Sequence, residues 1–138
     1  MIWTVIQMSK SGYTGLSFPF RLNNRGGIAM STTTVNAPDH INESIAQIIL
    51  TQLKERPMEL AVGSDIHRSI FSPNDPATHA LLRYNIVDAL TRLEPRISVS
   101  EDGIGVTDFE NMIIVQVNYM VKEYGTTYSQ ILSVGEVN

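Results

Sequence analysis

The spacing of apolar residues predicts an amphipathic helix over residues 40–54. Isoleucines and a leucine recur there at intervals of 3, 4, 7 and 8, which places them on one face of a helix. Asp39 is the predicted N-cap, and Pro57 ends the run soon afterwards. A shorter helix is predicted over 65–71. The predicted buried face of the first helix comprises Ile41, Ile45, Ile48, Ile49 and Leu53.

A second long helix has clearer boundaries. Asp75 is a good N-cap, and Pro76 stands at the first helical position, where its missing N–H costs nothing. Pro95 closes the helix, because the residue before a proline is pushed out of the α region. The apolar stripe predicted to face the core consists of Ala77, Ala80, Leu81, Tyr84, Val87 and Leu90.

The last third of the chain alternates with a period of two, which predicts strands. Residues 113–121 are the strongest of them, followed by a turn at 123–125 and a strand at 126–134. Ile97 and Val99 begin this region. Helices followed by consecutive strands predict an α+β fold, with two to three helices on a mainly antiparallel sheet in a single domain, 1–138.

The N-terminal third has weaker patterns. Residues 1–14 include a β-prone stretch that predicts a strand or a pairing arm. Four glycines and a proline in 11–27 favour a long connection over a regular element. Because Leu16, Phe18 and Phe20 alternate within it, we expect their side chains to plug into the body of the protein.

Composition narrows the functional classes. The 138 residues carry a net charge of −4 and no cluster of basic residues, which argues against a nucleic-acid partner. The absence of cysteine excludes disulfides and thiolate metal sites and fits assembly in a reducing host cytoplasm. No apolar stretch reaches the roughly 20 residues that cross a bilayer, and no signal peptide is evident.

A search for catalytic patterns finds none that is convincing. The nucleophile-elbow, phosphate-loop and zinc-protease motifs are missing, and His40, His67 and His79 lack metal-ligand spacing. Paired carboxylates remain, since two acids can hydrolyse a glycoside. However, Glu55 and Glu94 each lie close to an arginine, which opposes general-acid catalysis at neutral pH. The sequence predicts neither enzyme activity nor a cofactor.

Three segments together resemble the baseplate wedge and sheath-initiator family of contractile phage tails, type VI secretion systems and related injection machines. They are GLSFPFRLNNRGGIAMS at 15–31, SIAQIILTQLKERPMELAVGSDIHRSIF at 44–71, and the tripeptide at 94–96. The resemblance runs from about residue 15 to 121. Thr51, Glu55, Arg56, Gly63 and Ser64 fit the family pattern, whereas Lys54 replaces its glycine and Val62 its phenylalanine.

The resemblance implies a structural role in the baseplate. It implies that Glu94, Pro95 and Arg96 dock the protein on the wedge core bundle, and that a C-terminal strand, 126–138, augments the first ring of sheath subunits. It also implies wedge and sheath proteins as partners, in a six-fold assembly in the tail or injection-system baseplate. The predicted partner-binding residues are Glu94, Pro95, Arg96, Arg56, Thr126, Thr127, Tyr128, Ser129, Gln130, Ile131 and Leu132.

Simpler interpretations stay open at each of these positions. Glu94 and Arg96 could form an internal ion pair that only braces the junction. Arg56 could pair with a neighbouring glutamate on the surface, and 126–134 could be an ordinary strand of the monomer. Two other functions also remain. One is a tail-associated lysozyme, a label that this family has historically carried, and the other is a small regulatory adaptor that binds one protein.

Overall fold

The computed structural model describes residues 14–34, 37–51, 57–58, 63–64, 66–69 and 75–135. The chain divides into two compact units, Met1–Glu43 and Ser44–Asn138. In chain order the elements are β1 (Thr14–Leu16), β2 (Met30–Thr32), α1 (Asp39–Leu50), α2 (Ile66–Ser69), α3 (Pro76–Leu93), β3 (Ile97–Ser98), β4 (Ile104–Phe109), β5 (Met112–Val121) and β6 (Thr126–Gly135). The predicted α+β class is confirmed.

The first unit contains an antiparallel hairpin. β1 pairs with β2, with Leu16 opposite Met30. The expectation that Leu16, Phe18 and Phe20 plug into the body is wrong, because all three side chains are exposed. The alternation along the hairpin turns the small residues inward instead: Gly15 lies so close to His40 that a Cβ atom there would collide with the imidazole ring.

Helix α1 begins one residue earlier than predicted, and its N-terminus is capped by a side chain from outside the helix. Asp39 is its first helical residue rather than its N-cap, and the hydroxyl of Thr33 accepts the N–H of Ile41 at 2.9 Å. At the other end, the buried Ser64 donates to the carbonyl of Ile49 at 2.7 Å. The predicted buried isoleucines are confirmed; Leu53 and the predicted extension to residue 54 lie outside the described residues.

Helix α3 has the predicted ends but presents a different face. The carboxylate of Asp75 accepts the N–H of Thr78 at 2.6 Å, which confirms the N-cap, and the last helical residue is Leu93. Of the predicted stripe, Leu90 is buried, whereas Leu81 and Tyr84 are exposed. The core is reached by a neighbouring stripe, composed of Leu82, Ile86, Ala89 and Leu90.

The second unit contains a four-stranded antiparallel sheet with β5 at its centre. β6 pairs with β5 along its whole length, from Thr126 opposite Val121 to Gly135 opposite Met112. β3 and β4 therefore share the other edge of β5. Gly125, at a φ of +66°, forms the tight turn between β5 and β6. Helix α3 packs against β3 and β4, so the predicted arrangement of helices on an antiparallel sheet is confirmed.

Two further expectations concern the chain termini. The arm predicted over 1–14 lies outside the described residues except for Thr14, and so does 136–138 of the predicted C-terminal strand.

Of the short helix predicted over 65–71, the structure describes only the part that forms α2, Ile66–Ser69. None of the helices in the described part of the chain combines the length and apolar character that a bilayer-spanning helix needs.

Candidate partner-binding sites

The chain turns sharply between the end of α3 and the start of β3. Glu94 is the C-cap of the helix, and its N–H still donates to the carbonyl of Leu90 at 2.9 Å. Its own carbonyl accepts the N–H of Ile97 at 3.3 Å, and the N–H of Lys122 donates to the carbonyl of Arg96 at 3.0 Å. Pro95 cannot continue the helix, so these backbone bonds fix the side chains of residues 94 and 96 relative to each other.

The carboxylate of Glu94 is buried and fully engaged. Only 2% of the residue is exposed. Arg96 donates to it through Nε and Nη2, both at 2.5 Å, in the two-pronged arrangement that a planar guanidinium favours. The hydroxyl of Ser44, on α1, donates to Oε2 at 2.6 Å. The pair therefore joins α1, the end of α3 and the start of β3, as the internal-brace interpretation expects.

Two opposing influences set the pKa of Glu94. Burial by itself raises the pKa of a carboxyl group, because desolvation disfavours the charged form. The hydrogen bonds from Arg96 and Ser44, together with the positive charge of Arg96, outweigh burial and lower the pKa below its ordinary value. Glu94 is consequently ionised at neutral pH, which is the opposite of what a general acid requires.

This shift predicts a pH-dependent contribution to stability. A carboxyl group with a lowered pKa in the folded state stabilises the fold above the unfolded pKa of about 4.3 and loses that contribution as the pH falls through the folded value. We expect the free energy of unfolding of Glu94→Gln to be about 2 kcal/mol lower than that of the parent at pH 7. The difference should shrink steadily below about pH 5. Urea titrations from pH 7 to pH 3 measure it, and a constant difference would contradict the assignment.

Arg96 is not enclosed by this pair. About a quarter (26%) of its side chain remains accessible, against 2% for Glu94. Arg96 therefore braces the junction from within, while part of its side chain remains at the surface. Both interpretations of the tripeptide are compatible with this geometry.

Strand β6 holds the other predicted binding residues. Its side chains alternate between the core face and the open face of the sheet. The half-buried Tyr128 is on the core face, where its ring is tilted by 34° against that of Tyr119, with the ring centroids 5.8 Å apart. Ile131, on the open face, is 67% exposed. Neither the strand nor the rest of the open face carries a charged residue. That face comprises Ser98, Gly105, Thr107, Phe109, Met112, Ile114, Gln116, Asn118, Met120, Thr127, Ser129, Ile131, Ser133 and Gly135.

The remaining candidates are more scattered. Arg56 lies outside the described residues. Nε2 of His79 on α3 is hydrogen-bonded to Oδ2 of Asp108 on β4 at 2.7 Å, and Nδ1 of His40 is hydrogen-bonded to the hydroxyl of Ser31 at 3.0 Å. In the described part of the chain no three histidine or carboxylate side chains come together as a metal site would require. No pattern in the sequence indicates Ser44 as a partner of Glu94, because 50 positions separate them.

The family of the chain follows from comparison with known proteins. Residues 35–125 match the family described as baseplate wedge protein gp25. The chain belongs to this family, which confirms the resemblance and makes the chain a component of a tail baseplate, an assembly of many subunits. No curated protein matches the chain.

Two solved structures share the fold. A candidate tail lysozyme from Geobacter sulfurreducens superposes with a TM-score of 0.62 at 25% identity, over 72% of this chain and 90% of that one. A chain of the six-fold symmetrised anti-feeding prophage baseplate gives a TM-score of 0.61 at 19% identity, over 88% of this chain and 84% of that one.

Proposed function

We propose that this protein is a non-enzymatic adaptor of a contractile tail baseplate, which docks on the wedge and starts the sheath. The observation that carries the proposal is the position of β6. Among the described strands β6 is the outermost on its side of the sheet, and it is ten residues long. A partner strand laid along this margin would extend the sheet, which is the mechanism called β-augmentation.

The composition of β6 supports this role. Soluble proteins commonly protect the margin of a sheet with charged residues or proline, since a bare margin attracts foreign strands. No charged residue and no proline occurs in Thr126–Gly135. The strand is also firmly held, because β5 pairs with all ten of its residues and Val134 is buried. A sheath subunit would thus meet a rigid template with a fixed register.

The sheath role is tested by adding charge to the margin. We expect Thr127→Lys with Ile131→Lys to reduce the number of sheathed tails at least tenfold (on the order of 1.4 kcal/mol per tenfold step), because lysines hinder the approach of another strand. Both positions lie on the open face, so the monomer should retain its fold by circular dichroism. The measurement is electron microscopy of baseplates supplied with sheath protein.

A matched control lies on the opposite margin of the same face. Thr107→Lys with Phe109→Lys on β4 introduces the same charges at one polar and one apolar position. Normal sheath growth on the β6 variant would refute the proposal. Equal loss with the β4 variant would indicate that the sheath contacts the open face as a whole rather than the margin at β6.

Docking on the wedge is the second part of the proposal. The fixed turn at 94–96 and the accessible part of the Arg96 side chain support it, since that part lies within reach of a partner's surface. Six copies of the protein, related by six-fold symmetry and assembled in the host cytoplasm, would place six such turns around the tail. The fold shared with a six-fold symmetrised baseplate supports that arrangement.

The lysozyme alternative has one point in its favour, the description of the Geobacter structure. In the described residues the buried carboxylate is Glu94, and its pKa is lowered rather than raised. A glycosidase acid needs a raised pKa. The structural role is therefore the one we propose.

A further inference from the structure

The hairpin of the first unit carries its large apolar side chains on the outside. Leu16 is opposite Met30, and Leu22 is opposite Ile28, so these four side chains share one face of the hairpin. All four are exposed, from 49% for Ile28 to 66% for Leu22. Phe18 and Phe20 project from the segment between the two paired regions and are exposed as well. We call these six residues the hairpin apolar face.

The opposite side of the hairpin is lined by small residues. Ser17 and Ser31 are buried there, and Gly15 contacts His40. A hairpin in water is expected to do the reverse, with Leu, Ile, Met and Phe inside and serine outside. Single exposed apolar residues are ordinary, but a contiguous group on one face marks an interaction surface.

The hairpin apolar face is held in place by specific hydrogen bonds. One carboxylate oxygen of Glu43 accepts a hydrogen bond from the N–H of Phe18 at 3.1 Å. The other oxygen accepts a hydrogen bond from Nη2 of Arg21 at 2.9 Å. At the tip, the side chain of Asn23 accepts the N–H groups of Arg25 and Gly27, both at 2.9 Å. A preformed surface of this kind loses little conformational entropy when a partner covers it.

The charged residues of the hairpin itself are both arginines, and Glu43 on α1 balances one of them. Between Lys10 and Asp39 the sequence contains Arg21 and Arg25 but no acidic residue, although the whole chain has a net charge of −4. Arg21 pairs with Glu43 and is still largely exposed. Arg25, at the tip, has no ion-pair partner among the described residues. The complementary surface is therefore apolar in its centre and carries carboxylates at its border.

We propose that the hairpin apolar face is a second docking surface, which binds a baseplate protein that presents apolar side chains bordered by Asp or Glu. The charge of Arg25 disfavours a second copy of this chain, because a symmetric contact would bring the Arg25 side chains of two hairpins together. The surface belongs to the unit Met1–Glu43, whereas β6 and the turn at 94–96 belong to the unit Ser44–Asn138.

Crosslinking in assembled baseplates identifies the occupant. A photoreactive phenylalanine at position 20 should crosslink to another baseplate protein, at a peptide in which apolar residues stand beside Asp or Glu. The matched control is the same group at Leu81, an exposed apolar position on α3. Crosslinks within the same chain, crosslinks to a second copy, or the absence of any crosslink from position 20 would each overturn the proposal.

Competition for baseplates measures the charge requirement. Baseplates prepared without this protein are offered equal amounts of parent and variant. We expect Leu22→Ser with Ile28→Ser to lower incorporation about tenfold, Arg25→Glu about tenfold and Arg25→Gln about threefold, on the scale of 1.4 kcal/mol per factor of ten. Salt should reduce the difference between the two Arg25 variants.

The arginine variants keep the test valid if the serine variant fails to fold, since Arg25 is exposed at the tip. Equal incorporation of Arg25→Glu and the parent would overturn the proposal. The outcome is distinct from a failure at β6: loss of the hairpin contact lowers incorporation itself, whereas loss of the β6 contact leaves the protein in baseplates that lack sheath.

Discussion

Arg96→Ala is expected to lower the free energy of unfolding by about 3 kcal/mol, because it leaves a buried carboxylate without its cation. Glu94 is almost wholly enclosed, and its two bonds from Arg96 would be lost together. The bond from Ser44 remains, which keeps the loss at the lower end of the range for such pairs. Urea denaturation at pH 7 measures the change, and an unchanged midpoint would contradict the brace.

A double variant separates the brace from the docking role. Glu94→Gln with Arg96→Met removes both charges and leaves an acceptor for Ser44, so the expected loss is less than about 1 kcal/mol. Binding of this variant to wedges is the informative measurement. A folded double variant that no longer binds wedges would support docking through Arg96, and normal binding would leave the tripeptide with its structural role alone.

Ile86→Ala is expected to cost about 3 kcal/mol, because it opens a cavity where α3 meets the core. Ile86 is completely buried, and the surrounding side chains of a packed interior fill such a space only partly. Thermal unfolding followed by circular dichroism measures the loss.

Leu81→Ala is the matched control on the same helix. It removes a side chain of the same size from a position that is 62% exposed, and alanine is the better helix former. Its expected effect is within about 0.5 kcal/mol. If Leu81→Ala were the more damaging of the two, the face of α3 that carries Leu81 would be the buried one, contrary to the structure.

These two residues also show why the sequence misidentified the buried face of α3. Leu81, Tyr84 and Val87 follow a helical period, but so do Leu82, Ile86 and Ala89. The helix is apolar on two neighbouring stripes, so periodicity alone does not distinguish them. Contact with the sheet made the choice, because α3 packs against β3 and β4 with the second stripe buried. In the first stripe Leu81 and Tyr84 stay exposed, and Val87 is half-buried.

The prediction for the hairpin in the first unit was also wrong about which side is buried, but for another reason. Alternating Leu16, Phe18 and Phe20 indicate an extended segment with one apolar side, and a buried side is the usual inference. The inference assumes that a monomer hides its apolar side itself. Here serine and glycine face inward, so a local pattern predicted that the residues share a side but not which side is covered.

The sequence by itself determined what depends on neighbours along the chain. The Asp75 cap, the prolines around α3, the alternation in β5 and β6, and hence the α+β class, are local effects of dihedral preference and side-chain period. Only the tertiary structure decided that Thr33 caps α1, that Ser44 completes the site of Glu94, and which faces remain exposed. Those contacts join distant residues, and no local preference specifies which distant groups will meet.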